Sequence, residues 1–248
     1  MLSHRLLIPL LGLVLVALSP SLLYSQPLLD ALKQGDRKKA LALITKKKTD
    51  VNERDAEGLT PLIVATVAGD SVMVVRLLEK GAKVDMQSSN GMSALMAACY
   101  HKHETLVGFL LEKGASVHLR DNAGRTALHV ASYHENANSV SLLLDAGSEI
   151  EATDFKGNTA LLIACANRHL NVQAELLNRG ANANYRDPQG RTALMLLAVK
   201  GEDEMMRVLL QFKADVNVRD FTGKSALAYA NDGRCKLCVE LLERAGAQ

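Results

Sequence analysis

The sequence has no Trp, and aromatic residues fill only 4% of its 248 positions. With hydrophobic residues at 48%, the core must be built mostly from Leu, Val and Ala, which suits small, regular helical packing units. Charge of one sign is also missing, since 29 basic residues against 27 acidic ones leave a formal charge of +2. No basic stretch interleaved with aromatics appears, so nucleic acid is not the expected partner. A Gly-rich phosphate loop, a G-x-S-x-G turn and an H-E-x-x-H helix are all absent, which leaves an enzyme reading without support. No cofactor and no metal site is expected. N-x-[ST] acceptors are absent too, and the four cysteines form no cluster that would complete a zinc site.

What is present begins with a segment of a different kind. His4 and Arg5 make a short polar head, and Leu6 to Leu18 is apolar except for Pro9 and Gly12. Small residues follow in Ser19-Pro20-Ser21, the order of a secretory signal peptide over residues 1–25. The apolar core is shorter than the ~20 residues of a membrane-spanning helix, so no permanent anchor is expected after cleavage.

Beyond it the chain repeats. Gly58, Gly91, Gly124, Gly157, Gly190 and Gly223 recur every 33 residues without insertion or deletion. Two positions after each comes Thr or Ser, then Pro or Ala, then Leu, as in Thr60-Pro61-Leu62 and Thr126-Ala127-Leu128. A later Leu pair recurs from Leu77-Leu78 to Leu209-Leu210, followed by Gly-Ala or a close relative in the first four of these units.

Each unit can be read physically. Thr60 caps a helix through its hydroxyl, and Pro61 sits in the first turn, where its missing N–H costs nothing. Leu62 and Ala65 share one face. Met73, Val74, Leu77 and Leu78 give a second helix its i, i+3, i+4 stripe, and Gly81 ends it. A polar turn such as Asp121-Asn122-Ala123-Gly124 opens the next unit. One unit cannot bury both of its faces, so neighbours must stack.

A 33-residue unit with Thr-Pro-Leu, paired Leu and Gly-Ala resembles the ankyrin repeat. The resemblance implies an all-α solenoid of helix-turn-helix units with loop or β-turn tips. Five full units are expected over residues 55–87, 88–120, 121–153, 154–186 and 187–219, between capping units at 26–54 and 220–248. Leu28, Leu29, Leu32, Leu41 and Leu43 are expected to supply the apolar side of the first cap. Departures from the pattern include Lys213 where the family has Gly, Leu197 where it has Ala, and Lys102, Glu135, Arg168 and Arg234 after the first helices.

The resemblance also implies that a partner protein is bound on a concave face of first helices and loop tips. The residues that vary there are Met92, Tyr100, His101, Arg125, Tyr133, His134, Phe155, Asn158, Asn167, Arg191 and Lys200. The Tyr-His pair occurs in two successive units. Helices stacked about 8–10 Å apart would bring Tyr100, His101, Tyr133 and His134 into one patch. His101 and His103 have a metal-like spacing, but at a helix end they are expected to face different ways.

Cys235-Lys236-Leu237-Cys238 opens the last helix, within reach of a disulfide. Core filler, a passive disulfide and a redox-sensing or oxidative-stress-protective dithiol all remain open for this pair, the last because some exported relatives serve oxidative-stress protection. Cys99 and Cys165 read as small buried residues. Leader and repeats together resemble a monomeric periplasmic protein, with secretion as the alternative.

Overall fold

The computed structural model describes residues 26–248, so the leader expected at residues 1–25 lies outside the described residues. The helices come in pairs, one pair to each repeat. The first helices are α1 (Pro27–Lys33), α3 (Pro61–Val67), α5 (Ala94–Tyr100), α7 (Ala127–Tyr133), α9 (Ala160–Ala166), α11 (Ala193–Lys200) and α13 (Ala226–Asp232). Their partners are α2 (Arg37–Ile44), α4 (Ser71–Glu79), α6 (Glu104–Glu112), α8 (Ala137–Asp145), α10 (Leu170–Asn178), α12 (Asp203–Gln211) and α14 (Lys236–Arg244). Among the described residues there is no strand, only an isolated bridge between Arg219 and Ser225. None of the described helices is long and apolar enough to cross a membrane.

The repeated residues set the boundaries. Thr60, Ser93, Thr159, Thr192 and Ser225 each accept the backbone N–H three residues on, which starts the first helices. The inner first helices, α3 to α11, bury most of their side chains, from Ala94 through Cys99 in α5 and from Ala160 through Cys165 in α9. Small Ala residues allow this close stacking, and α1, α3, α5, α7, α9, α11 and α13 pack in an unbroken series. Second helices bury one stripe each, as Met73, Val74 and Leu77 do in α4. Replacing a fully buried Leu such as Leu110 by Ala would cost about 2–5 kcal/mol. In the first cap Leu28 and Leu29 are buried, Leu32, Leu41 and Leu43 pack partly covered against the core, and Ala40 and Ile44 carry the buried stripe of α2. Residues 41 and 43 fall on either side of that stripe.

The loops are stitched to one another. Asp55, Asp121, Asp154, Asp187 and Asp220 each accept the backbone N–H four residues on, and Ser88 does the same for Met92. Adjacent tips are linked by Ser89 N–H to Glu57 O, Asn122 N–H to Asn90 O, Phe155 N–H to Ala123 O and Phe221 N–H to Gln189 O. Pro188, with no N–H, interrupts that series. A second ladder runs from Arg54, Gln87, Arg120 and Arg186 to the carbonyls of residues 33 positions ahead.

Lys102, Glu135, Arg168, Lys213 and Arg234 all take left-handed backbone, with φ between 53° and 63°. The helix-end geometry that Gly69, Gly201 and Gly81 hold in other units is therefore kept here by residues with a side chain, at a cost in strain.

A Tyr-His groove between the second and third full units

Burial of nearly all of α5 and α7 decides which side chains emerge. After six buried residues, Tyr100 and Tyr133 are the first to surface, 47% and 50% exposed. His101 and His134 follow as the C-caps. The Tyr100 ring lies 4.2 Å from the His134 ring of the next unit, and Tyr133 meets His134 edge-on at 5.1 Å. These rings form one wall of a cavity of about 320 Å³ floored by Met96 and Val130. Met92, Asn90 and the Asp121–Ala123 loop form the other wall. Arg125 is held at its rim by Asp121, which accepts from Nε at 2.8 Å and from Nη2 at 2.7 Å. Such a two-point pair fixes the guanidinium while part of it stays open to a ligand.

The groove carries both signs, with Asp121 neutralising Arg125, while the groups that shift His134 are all basic. Burial, then Lys102, His101, Arg125 and His169, holds His134 below the ordinary imidazole value. Burial, then His103, does the same to His101. Each neighbour acting on His134 is cationic when charged.

Of the residues anticipated from sequence, Met92, Tyr100, Arg125, Tyr133 and His134 line this one cavity. His101 sits beside it, 5.0 Å from the Tyr100 ring. Phe155 is set apart on the next loop tip, 76% exposed, with its ring lying against Gly124, where a Cβ would come within 2.5 Å of it. Asn158 is spent on Asp154, and Asn167 donates to the Ile163 carbonyl. Arg191 is paired with Asp187 at 2.7 Å, and the Lys200 ammonium donates to the Ala166 carbonyl. These four are not gathered into the groove. His101 and His103 do not face apart as expected; their rings stack 5.9 Å apart, because the left-handed Lys102 turns the chain between them. No group of three or more His, Cys, Asp or Glu suited to a metal occurs among the described residues.

Sequence reasoning weighed His103 only for metal spacing and did not consider His129 or His169, so the bonds by which these three join neighbouring units were missed. His129 is fully buried; its Nε2 donates to the Asn158 carbonyl at 3.1 Å, and its Nδ1 accepts from the Thr126 N–H at 3.1 Å. His103 and His169 reach back to the Val67 and Tyr133 carbonyls at 3.3 and 2.9 Å. The available signal was their shared register with the N-cap Asp70.

At the far end of the array, Cys235 and Cys238 are joined in a disulfide, while Cys99 and Cys165 are free and buried.

Comparison with known proteins bears on this architecture. The family of ankyrin repeats in three copies matches residues 28–121, 116–187 and 174–248. The crystal structure of the ankyrin repeat domain of Bcl-3, a member of the IkappaB protein family, is 31% identical with a TM-score of 0.72. That match covers 77% of this chain and 88% of the Bcl-3 domain. The human ASB11 ankyrin repeat domain is 25% identical with a TM-score of 0.77, covering 87% of this chain and 97% of its own. No curated protein sequence matches the chain.

Proposed function

Because the chain belongs to the ankyrin-repeat family, we propose that it is a protein-binding module outside the cytoplasm, without catalytic activity of its own, that docks a partner protein in the Tyr100–Tyr133 groove. Ankyrin repeats generally act as protein–protein interaction modules, and the groove supplies the specific reading. The observation that carries it is the exposed ring cluster of Tyr100, Tyr133 and His134 over a preformed cavity. Rigid, half-exposed Tyr rings offer large contact area at low entropic cost. Lys102 beside His134, with the part of the Arg125 guanidinium left open, favours a partner segment with an acidic residue beside an apolar one.

The apolar leader at residues 1–25 and the Cys235–Cys238 disulfide support an exported protein in an oxidising compartment, with the periplasm preferred over full secretion. The protein acts there as a monomer.

The test is affinity capture from a cell-envelope extract by residues 26–248. A Tyr100→Ala/Tyr133→Ala variant and a Cys235→Ser/Cys238→Ser variant run beside the parent. A protein retained by the parent and by the Cys variant, and lost with the Tyr variant, is the expected result. Equal retention by the Tyr variant would remove the groove from consideration, and an empty catch from the envelope would remove the location.

A further inference from the structure

The C-terminal sulfur pair has an asymmetry that core filling does not require. Cys235 is the N-cap of α14, and its Sγ accepts a hydrogen bond from the Cys238 N–H at 3.1 Å. Cys238, one turn further on, is fully buried in the solenoid core, at the register held by Met73 in the first full unit. Cys235 is only partly covered. A cavity of about 510 Å³ opens on Cys235 and not on Cys238, walled by Ala230 and Val239 with Arg234, Lys236 and Glu240 around it. Leu237, between the two cysteines, is 57% exposed. The remaining thiols are closed off, since complete burial pushes Cys99 and Cys165 up to about 12. The chain thus holds two inert thiols, one buried sulfur in a disulfide and one sulfur within reach of a substrate.

We propose that the Cys235–Cys238 disulfide is a thiol–disulfide exchange site that accepts two electrons from the dithiol of a polypeptide, with Cys235 as the sulfur attacked. A substrate thiolate enters from the cavity side and bonds to the Cys235 sulfur. The Cys235–Cys238 bond breaks, and its electron pair goes to Cys238, which takes up a proton. The second substrate thiol, deprotonated, then attacks the substrate sulfur of the mixed disulfide. Cys235 leaves with the bonding pair and is protonated. The substrate ends as a disulfide, two electrons and two protons poorer, and the protein ends as a dithiol richer by the same. Negative charge on the departing Cys235 sulfur meets the Cys238 N–H, the N-terminus of the nine-residue α14 and the neighbouring Arg234 and Lys236. The site shares no residue with the Tyr100 groove and does not depend on it.

The experiment mixes the oxidised full chain with an acidic peptide carrying a Cys-x-x-Cys dithiol, and separately with glutathione. Mass spectrometry follows hydrogen transfer. The peptide should reduce the chain at least about tenfold faster than it reduces glutathione disulfide. With the oxidised peptide, Cys238→Ser should trap a mixed disulfide at Cys235, and Cys235→Ser should trap none. Cys238→Ala repeats the trapping arm if the Ser variant fails to fold, with circular dichroism as the check. Reduction of the native chain only under unfolding conditions, or trapping at Cys238 in place of Cys235, would overturn the proposal and leave a passive staple. Faster reduction by glutathione than by the peptide would overturn the assignment of a polypeptide substrate.

Discussion

The ring of Tyr100 stands 4.2 Å from the ring of His134, which belongs to the next repeat. One half-exposed aromatic platform therefore spans two units, and a ligand seated on it touches both. Removing both tyrosines takes away contact area without opening the core, because Tyr100 and Tyr133 are each about half exposed. Tyr100→Ala/Tyr133→Ala should weaken partner binding by about 2 kcal/mol or more, roughly thirtyfold. The melting temperature should stay close to that of the parent. Titration calorimetry with the captured partner, alongside thermal melts, separates the two effects. A comparable fall in stability would mean that the rings hold the fold and not the ligand.

Acidity should strengthen the same contact. His134 and His101 are held below the ordinary imidazole value, chiefly by burial, so both are neutral in the free protein near neutrality. An acidic partner favours the imidazolium, which raises the value in the complex. Affinity should then rise as pH falls through that bound-state value, by about three- to tenfold between about pH 7.5 and about pH 5.5. His134→Gln should flatten the profile. A parent whose affinity is constant or falling over this range would contradict an acidic partner.

His129 works in the opposite direction, on stability. Its Nδ1 accepts from Thr126 and its Nε2 donates to the Asn158 carbonyl, an arrangement only the neutral ring can make. Burial is the main cause of its lowered value; Asp154 opposes the shift and Arg120 adds to it. The unfolded chain takes up the proton more readily, so this contribution is complete above about pH 6.5 and is lost as pH falls below it. His129→Met, which copies Met96 and Met195 at the same register, should cost about 1 kcal/mol at neutral pH and reduce the loss on acidification. Melts of both proteins near neutrality and near pH 5 are the measurement. Equal acid sensitivity in the two would assign the effect to other groups.

The unit fold was legible because its determinants are local and recur. Thr60 and its equivalents cap, Leu77 and its equivalents pack, and the 33-residue register repeats without error. The centre of the groove was legible for the same reason: register marked Tyr100 and Tyr133 as the first residues past a buried stretch. Its edge was not. Asn158, Asn167, Arg191 and Lys200 vary like recognition residues, but each is held by a nearby acceptor that variation cannot reveal. The cross-unit bonds of His103, His129 and His169 were hidden too, because their acceptors are backbone carbonyls 29 to 36 positions away.

Lys213 was legible as a departure, and the structure gives it a consequence. It keeps the left-handed backbone, φ 60°, that Gly81, Gly114, Gly147, Gly180 and Gly246 hold at the same place in their units. A side chain strains that conformation by roughly 1–2 kcal/mol, of which the greater freedom of Gly in the unfolded chain cancels part. Lys213→Gly should therefore stabilise the protein by about 0.5–1 kcal/mol, raising the melting temperature by about 2–4 °C. An unchanged or lower melting temperature would show that the Lys213 side chain contributes more than its backbone costs.

Tyr185 fills a gap in the loop ladder, and the gap can be tested. Arg54, Gln87, Arg120, Arg186 and Arg219 each donate to the carbonyl of the Gly four residues on. Thr153 holds that register before Gly157 and is too short to reach. The Tyr185 hydroxyl, from the far end of the unit that Gly157 opens, donates to the Gly157 carbonyl instead, at 3.0 Å. Tyr185→Phe removes only this donor and should cost about 1 kcal/mol. Thr153→Arg supplies the side chain used elsewhere in the ladder, so it should recover most of that loss in the Tyr185→Phe background and add little to the parent. Denaturant unfolding of the four proteins in a double-mutant cycle measures the coupling. Additive effects would mean that Tyr185 and the ladder residues do not substitute for one another at the Gly157 carbonyl.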